Sequence, residues 1–333
     1  MTKILDTVLL LALPASGKSE VRRYMEHLTP EQCTRDMCMG PTLQLDDYPY
    51  VHFMHRIDDE LLARGGEAIF YGGSERPFID GLTWGTLVAL INEDYDDLLH
   101  HRVHSVPSAA QFLFDRLDNA RAKVGQRRAL DRIAYGVRRD IAAAMEAETR
   151  EQLNEKNAVS AQDKTGKTVI IEMARGGAHG SAFPLTPPQG YQYTITQLSD
   201  DILKNAGVLY VWVTPEQSRH KNYERARPDG QSSILNHGVP LEVMLGQYGC
   251  DDMEYMLSKA DKPGTIKIER VVEATDAAGK RVFDTRVYHV PVSRFDNRED
   301  LTTFVRKPRG EWQAAEVAKI HKGLSDALTH LAK

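Results

Sequence analysis

The residues with the clearest chemical potential are Gly17, Lys18 and Ser19, in the stretch LLLALPASGKSEVRR at positions 9–23. A glycine lets backbone approach an anion closely, a lysine brings a cation to it, and a serine hydroxyl can share a Mg²⁺ ion. The loop Pro14, Ala15, Ser16, Gly17, Lys18, Ser19 follows an apolar run and opens a helical segment. Main-chain N–H groups at such a helix start have no partner of their own and are free to grip phosphate oxygens. The pattern G-x-x-x-x-G-K-[ST] asks for glycine at position 12, where this chain has Ala12. Alanine is tolerated there if its φ stays negative.

Three carboxylates and four guanidinium groups complete the set. TLQLDDYPY (42–50) reads as a strand ending on Asp46 and Asp47, and TVIIEMARGG ends a buried strand on Glu172. At the carboxyl ends of parallel strands such acids face the ligand crevice. One can accept a hydroxyl proton while another holds Mg²⁺ through water or positions a substrate hydroxyl. Strand alternation puts Asp46 and Asp47 on opposite faces, so one of the two is expected to face the phosphates. Arg175 and the glycines after it offer an anion-binding turn. SRHKNYERARPDG (218–230) carries Arg219, Arg225 and Arg227 on a helix, where guanidinium groups can stabilise charge on transferring phosphoryl oxygens. Spacing does not separate the three arginines, and pairing with Glu216 and Glu224 on a solvated face is the plainer reading of them. Asn297 is a weak candidate for a base contact, and His237 reads as a structural or surface histidine.

These residues need a scaffold that brings strand ends together. Residues 4–13 form a nearly continuous apolar run, as expected of a strand buried on both faces. Similar runs recur at Thr168–Glu172 and 208–215, each next to a helical segment. Strands alternating with helices imply an α/β fold, three layers around a mainly parallel sheet. Ser199 is placed to cap a short helix, residues 240–260 read as one helix, and two β segments pair as a hairpin across 276–280. A C-terminal helix closes the chain. Residues 78–162, rich in Ala, Leu, Arg, Asp and Glu, read as a helical insertion; 1–77 and 163–333 form the nucleotide-binding core.

ALPASGKSEVRRYM resembles the GLPxSGKS loop of P-loop kinases that act on small molecules, nucleosides or nucleotides. LQLDDYPY is similar to the LDDFY segment of uridine-kinase-like enzymes, and the arginine helix resembles the lid helix of small-molecule kinases. The resemblance covers the loop and the order of its flanking elements, and Ala12 departs from it. It implies a P-loop NTPase fold of the uridine-kinase and zeta-toxin kind and ATP and Mg²⁺ as cofactors. It further implies Lys18 on the phosphates, Ser19 and Glu172 at the metal, Asp47 as base with Asp46 as fallback, and lid arginines on the transferring group.

Composition narrows the partners. A net charge of −5 and a pI near 6.2 argue against a dedicated nucleic-acid binder, which normally carries a basic domain. Cys33, Cys38 and Cys250 form no C-x-x-C pair, as expected of free thiols in the cytoplasm. No apolar stretch reaches the roughly 20 residues that span a bilayer. The expectation is therefore a cytoplasmic kinase for a small hydroxyl- or phosphate-bearing acceptor, of open oligomeric state. An ATPase or nucleotide-dependent regulator and a polynucleotide kinase are the rival readings.

Overall fold

The computed structural model describes residues 3–73, 75–225, 238–276 and 278–333. β1 (Thr7–Leu11) is the TVLLL run, buried along its whole length. It pairs in parallel with β3 (Thr168–Met173) on one side and β4 (Ala206–Trp212) on the other, with Leu9 level with Ile171 and Val208. β2 (Thr42–Asp46) lies outside β3, with Asp46 level with Glu172. β6 (Arg281–Asp296) runs parallel to β4 and antiparallel to β5 (Thr265–Thr275), giving the order β2-β3-β1-β4-β6-β5. The hairpin expected at 276–280 is present, with Asp276 N–H donating to the Lys280 carbonyl at 2.9 Å.

Alternation along β1 feeds two cores. Leu9 and Leu11 pack against α4 (Thr83–Leu99), α7 (Gly190–Thr196), α8 (Asp200–Asn205) and α11 (Met253–Ser258). Val8 and Leu10 pack against α1 (Lys18–Glu26), α2 (Pro30–Met37) and α12 (Ala314–Leu331). Each fully buried leucine contributes about 2 kcal/mol of transfer free energy, so covering both faces makes β1 a firm part of the sheet. That firmness holds the loop after β1 in place. The three cysteines are free thiols. Among the described residues no helix is long and apolar enough to cross a membrane.

A third core belongs to the helices between β2 and β3. It joins α3 (Tyr48–Ala63), α4, α5 (Ala109–Lys123) and α6 (Tyr135–Ser160) around Phe53, Ile57, Leu87, Phe114, Leu117 and Met145. α4 serves two cores at once, Val88 and Ile91 toward the sheet and Leu87 and Leu90 toward the helices. Two expectations are corrected here. Strand 42–50 stops at Asp46, because Tyr48-Pro49-Tyr50 already belongs to α3, with proline in a first-turn position that costs no hydrogen bond. Residues 240–260 form α10 (Leu241–Gln247) and α11 with a break between them. In that break Asp252 accepts the N–H groups of Tyr191 and Gln192 at 2.6 and 3.0 Å, capping α7 instead of continuing a helix.

Candidate active site

The loop after β1 turns on two left-handed residues, Ala15 at φ 56° and Gly17 at φ 104°. Alternating hands of this kind curl successive N–H groups toward one concavity, a nest for an anion. Among the described residues, the N–H groups of Ala15, Ser16, Gly17, Lys18 and Ser19 find no acceptor. The loop is held from behind. The buried Asn297 amide donates to the Ser16 carbonyl and to Thr302 Oγ1, both at 2.8 Å, and Ser218 Oγ donates to the Pro14 carbonyl at 2.7 Å. Asn297 therefore braces the loop from below. A Cβ on Gly17 would lie 2.5 Å from Thr302 Oγ1, so space and backbone angle both demand glycine there. Ala12 does not have positive φ; it is fully buried, and its carbonyl accepts from Lys18 Nζ at 3.2 Å. The unusual backbone angle that the pattern assigns to position 12 falls at Ala15 and Gly17 instead.

Lys18 is buried at the first turn of α1. Burial pushes its pKa down, opposed by the carboxylates of Glu172, Asp46 and Asp47, in that order of strength. All three acids line one cleft of about 520 Å³ together with Lys18 and Ser19. The opposite-face expectation for Asp46 and Asp47 fails because alternation ends with the strand. Asp47 has helical backbone at φ −85° and turns its carboxylate into the same cleft. Burial, then Glu172 and Asp47, push the Asp46 carboxyl up to about 7, and the Tyr48 N–H donates to it at 2.8 Å. Glu172 accepts from Arg22 Nη1 at 3.2 Å. Asp47 accepts from Arg175 Nη2 at 2.6 Å. Asp46 and Glu172 thus stand level on neighbouring strands, and Asp47 is tied to Arg175.

The arginines separate in space. Arg225, at the end of α9 (Pro215–Arg225), lines the cleft and donates to Glu20 Oε1 at 2.8 Å. Arg219 does not line it and pairs with Glu216 on its own helix. Arg227 and His237 lie outside the described residues. Two cleft cations were not singled out by sequence for this place. Arg22 stands one turn after Lys18, a spacing that marks the same helix face. Arg175, after β3, is almost wholly buried, with its guanidinium 4.6 Å from the Trp84 ring centre.

Beyond Asp47 the cleft becomes aromatic. His55 lies flat on Tyr71 at 3.6 Å and 9°, Tyr71 meets Phe78 at 4.8 Å, Phe78 meets Trp84 at 4.9 Å, and Trp84 meets Tyr248 at 5.9 Å. Burial lowers the His55 pKa, which favours a neutral ring. The segment carrying Tyr71 is pinned to α3 by Asp58, whose carboxylate accepts the N–H groups of Ile69, Phe70 and Tyr71 at 2.7, 3.0 and 2.9 Å. The Tyr71 hydroxyl and Arg175 Nε are buried without partners among the described residues.

No protein-family model, curated protein or solved structure matches this chain. Among the described residues no group of three or more His, Cys, Asp or Glu side chains gathers around a metal position. A triphosphate-bound Mg²⁺ needs no such group, since phosphate oxygens and water fill most of its shell. The donors present, one serine hydroxyl and two neighbouring carboxylates, fit that hard cation.

Proposed function

We propose that the protein is a kinase that transfers the γ-phosphoryl group of ATP, with Mg²⁺, to a hydroxyl of a small acceptor. The observation that carries this reading is the run of five N–H groups, Ala15 to Ser19, that find no acceptor among the described residues, beside buried Lys18. A row of oriented amides backed by an ammonium is built for a polyphosphate. ATP with Mg²⁺ would supply the transferable group and neutralise part of its charge. The chain's own residues divide the remaining work. Ser19, Asp46 and Glu172 would hold the cation and its water. Lys18, Arg22 and Arg225 would face the phosphoryl oxygens as charge spreads over them. Asp47, aimed by Arg175, would take the acceptor's proton.

The aromatic half of the cleft gives the acceptor its own place, which favours transfer to a bound molecule over hydrolysis. The test is ADP release by purified protein with ATP, Mg²⁺ and a library of hydroxyl-bearing metabolites. Release that rises with one acceptor class supports the kinase. Release indifferent to every acceptor points to an ATPase and overturns it.

A further inference from the structure

The five-ring chain from His55 to Tyr248 forms one wall of the cleft. Five buried side-chain polar atoms lack a partner among the described residues, and two of them, the Tyr71 hydroxyl and Arg175 Nε, belong to residues of this cleft. A buried hydroxyl or guanidinium N–H without a partner is destabilising unless something else completes it. Both residues are more than nine-tenths buried, Tyr71 at 7% and Arg175 at 2% exposure. In a planar guanidinium the Nε–H and Nη2 share one edge. Nη2 of Arg175 already donates to Asp47. A group that accepts from Nε therefore lies directly beside the Asp47 carboxylate. The same arginine that holds Asp47 is in position to hold the molecule Asp47 acts upon.

Aromatic walls favour planar occupants, because offset or edge-to-face ring contacts add to the gain from burying area. Two orphans that can donate, on the Tyr71 hydroxyl and Arg175 Nε, ask for acceptor atoms on the occupant's edge.

We propose that the compartment bounded by His55, Tyr71, Trp84, Arg175 and Tyr248 binds a planar ring whose edge carries carbonyl or ring-nitrogen acceptors. Tyr71 and Arg175 read that edge and thereby set a hydroxyl of the same molecule against Asp47. This inference rests on the kinase reading for the word acceptor, but its test needs no ATP.

Adenosine, guanosine, uridine, cytidine and pyridoxine serve as ring probes, and glucose and myo-inositol as ringless hydroxyl compounds of similar polarity. Calorimetry on the full chain without nucleotide triphosphate should show binding of at least one ring probe and of neither ringless one. Tyr71→Phe removes only the hydroxyl. It should melt at or above the wild-type temperature, since an unpartnered buried group is gone, yet bind the ring probe about tenfold more weakly. Arg175→Lys keeps a cation for Asp47 but has no Nε–H, and should weaken the same probe. Binding of no ring probe, equal binding of the ringless compounds, or unchanged affinity in both variants would overturn the proposal. A ring probe that binds but is never phosphorylated would overturn the kinase reading and leave this one standing.

Discussion

The two halves of the cleft solve recognition in opposite ways. Beside the loop after β1, the side chains that brace the loop are already engaged. Asn297 holds the Ser16 carbonyl, Ser218 holds that of Pro14, and Glu20 pairs with Arg225 and Arg306. What is left open among the described residues is chiefly main chain, the N–H groups from Ala15 to Ser19. On the ring side the main chain is satisfied, with Asp58 collecting the N–H groups of residues 69–71, and what is left open is side chain, the Tyr71 hydroxyl and Arg175 Nε. A main-chain site is generic and recognises an anion by shape. A side-chain site is particular and recognises one molecule. The contrast suits an enzyme that takes a common donor and a specific acceptor.

The sharpest way to break the contrast is Asp47→Ala, which lies on the seam. Turnover should fall by about 10²–10⁴, the usual worth of a positioned general base. The change also strands the buried Arg175 cation, so denaturant unfolding should show a loss of about 3–5 kcal/mol. Asp47→Asn, which keeps a hydrogen-bonding oxygen, should lose turnover similarly but less stability. If turnover survives Asp47→Ala, the seam is drawn in the wrong place.

Gly17→Ala attacks the phosphate side alone. It meets Thr302 Oγ1 at 2.5 Å and places a side chain at φ 104°. Stability should drop by about 1–3 kcal/mol. Nucleotide affinity should drop with it, while ring-probe affinity stays near wild type. Loss of both affinities in a folded variant would mean the halves are one site.

Asp46 gives the comparison a pH dependence. Its carboxyl is pushed up to about 7 in the folded protein, against about 3.9 in an unfolded chain. The folded state therefore binds more protons between these values, and stability declines as pH rises from about 4 to about 7. Asp46→Asn should remove this contribution and leave the variant more stable than wild type at neutral pH. Chemical denaturation at several pH values reads it, and a variant whose pH profile overlays the wild type refutes it.

The smallest expected effect is Ala12→Gly, which restores the sequence pattern. Ala12 does not have positive φ and is packed in the core, so glycine there only adds chain entropy and removes a buried methyl. We expect a loss of roughly 0.5–1 kcal/mol in unfolding free energy and no gain in nucleotide affinity. A gain would show that the loop geometry after β1 is strained.

How much was legible follows the same division. The start of α1 after β1, and β1, β3, β4 and the hairpin, were readable because each is a local pattern of adjacent residues. Ser199 does cap α8, accepting from Ile202 at 3.3 Å. The first turn of α3 reads as the end of a strand, because Tyr48-Pro49-Tyr50 continues the segment 42–50 and only the tertiary context turns it helical. α4 falls inside the stretch read as helical, but its double packing was not legible, because burial on nearly all sides between two cores erases the one-sided periodicity of a surface helix. The break at Tyr248–Asp252 was invisible because its causes are remote. Asp252 caps a helix 60 residues earlier in the chain, and Gly249 abuts the His179 backbone, where a Cβ would lie 2.3 Å from the His179 nitrogen. The ring compartment was unreadable for the same reason: its members come from α3, the segment after it, α4, the loop after β3 and the break after α10. Arg175 drew notice in the sequence only as part of an anion-binding turn, and its pairing with Asp47 spans 128 residues.

The central claim is that the main-chain nest and Lys18 grip a triphosphate. Calorimetric titration of ATP into the protein at millimolar Mg²⁺ tests it most directly, paired with Lys18→Ala. We expect saturable binding to the wild type and a loss of at least about a hundredfold in affinity in a folded Lys18→Ala, the worth of a buried charge-assisted contact. No heat from ATP, or equal affinity in the variant, would contradict it.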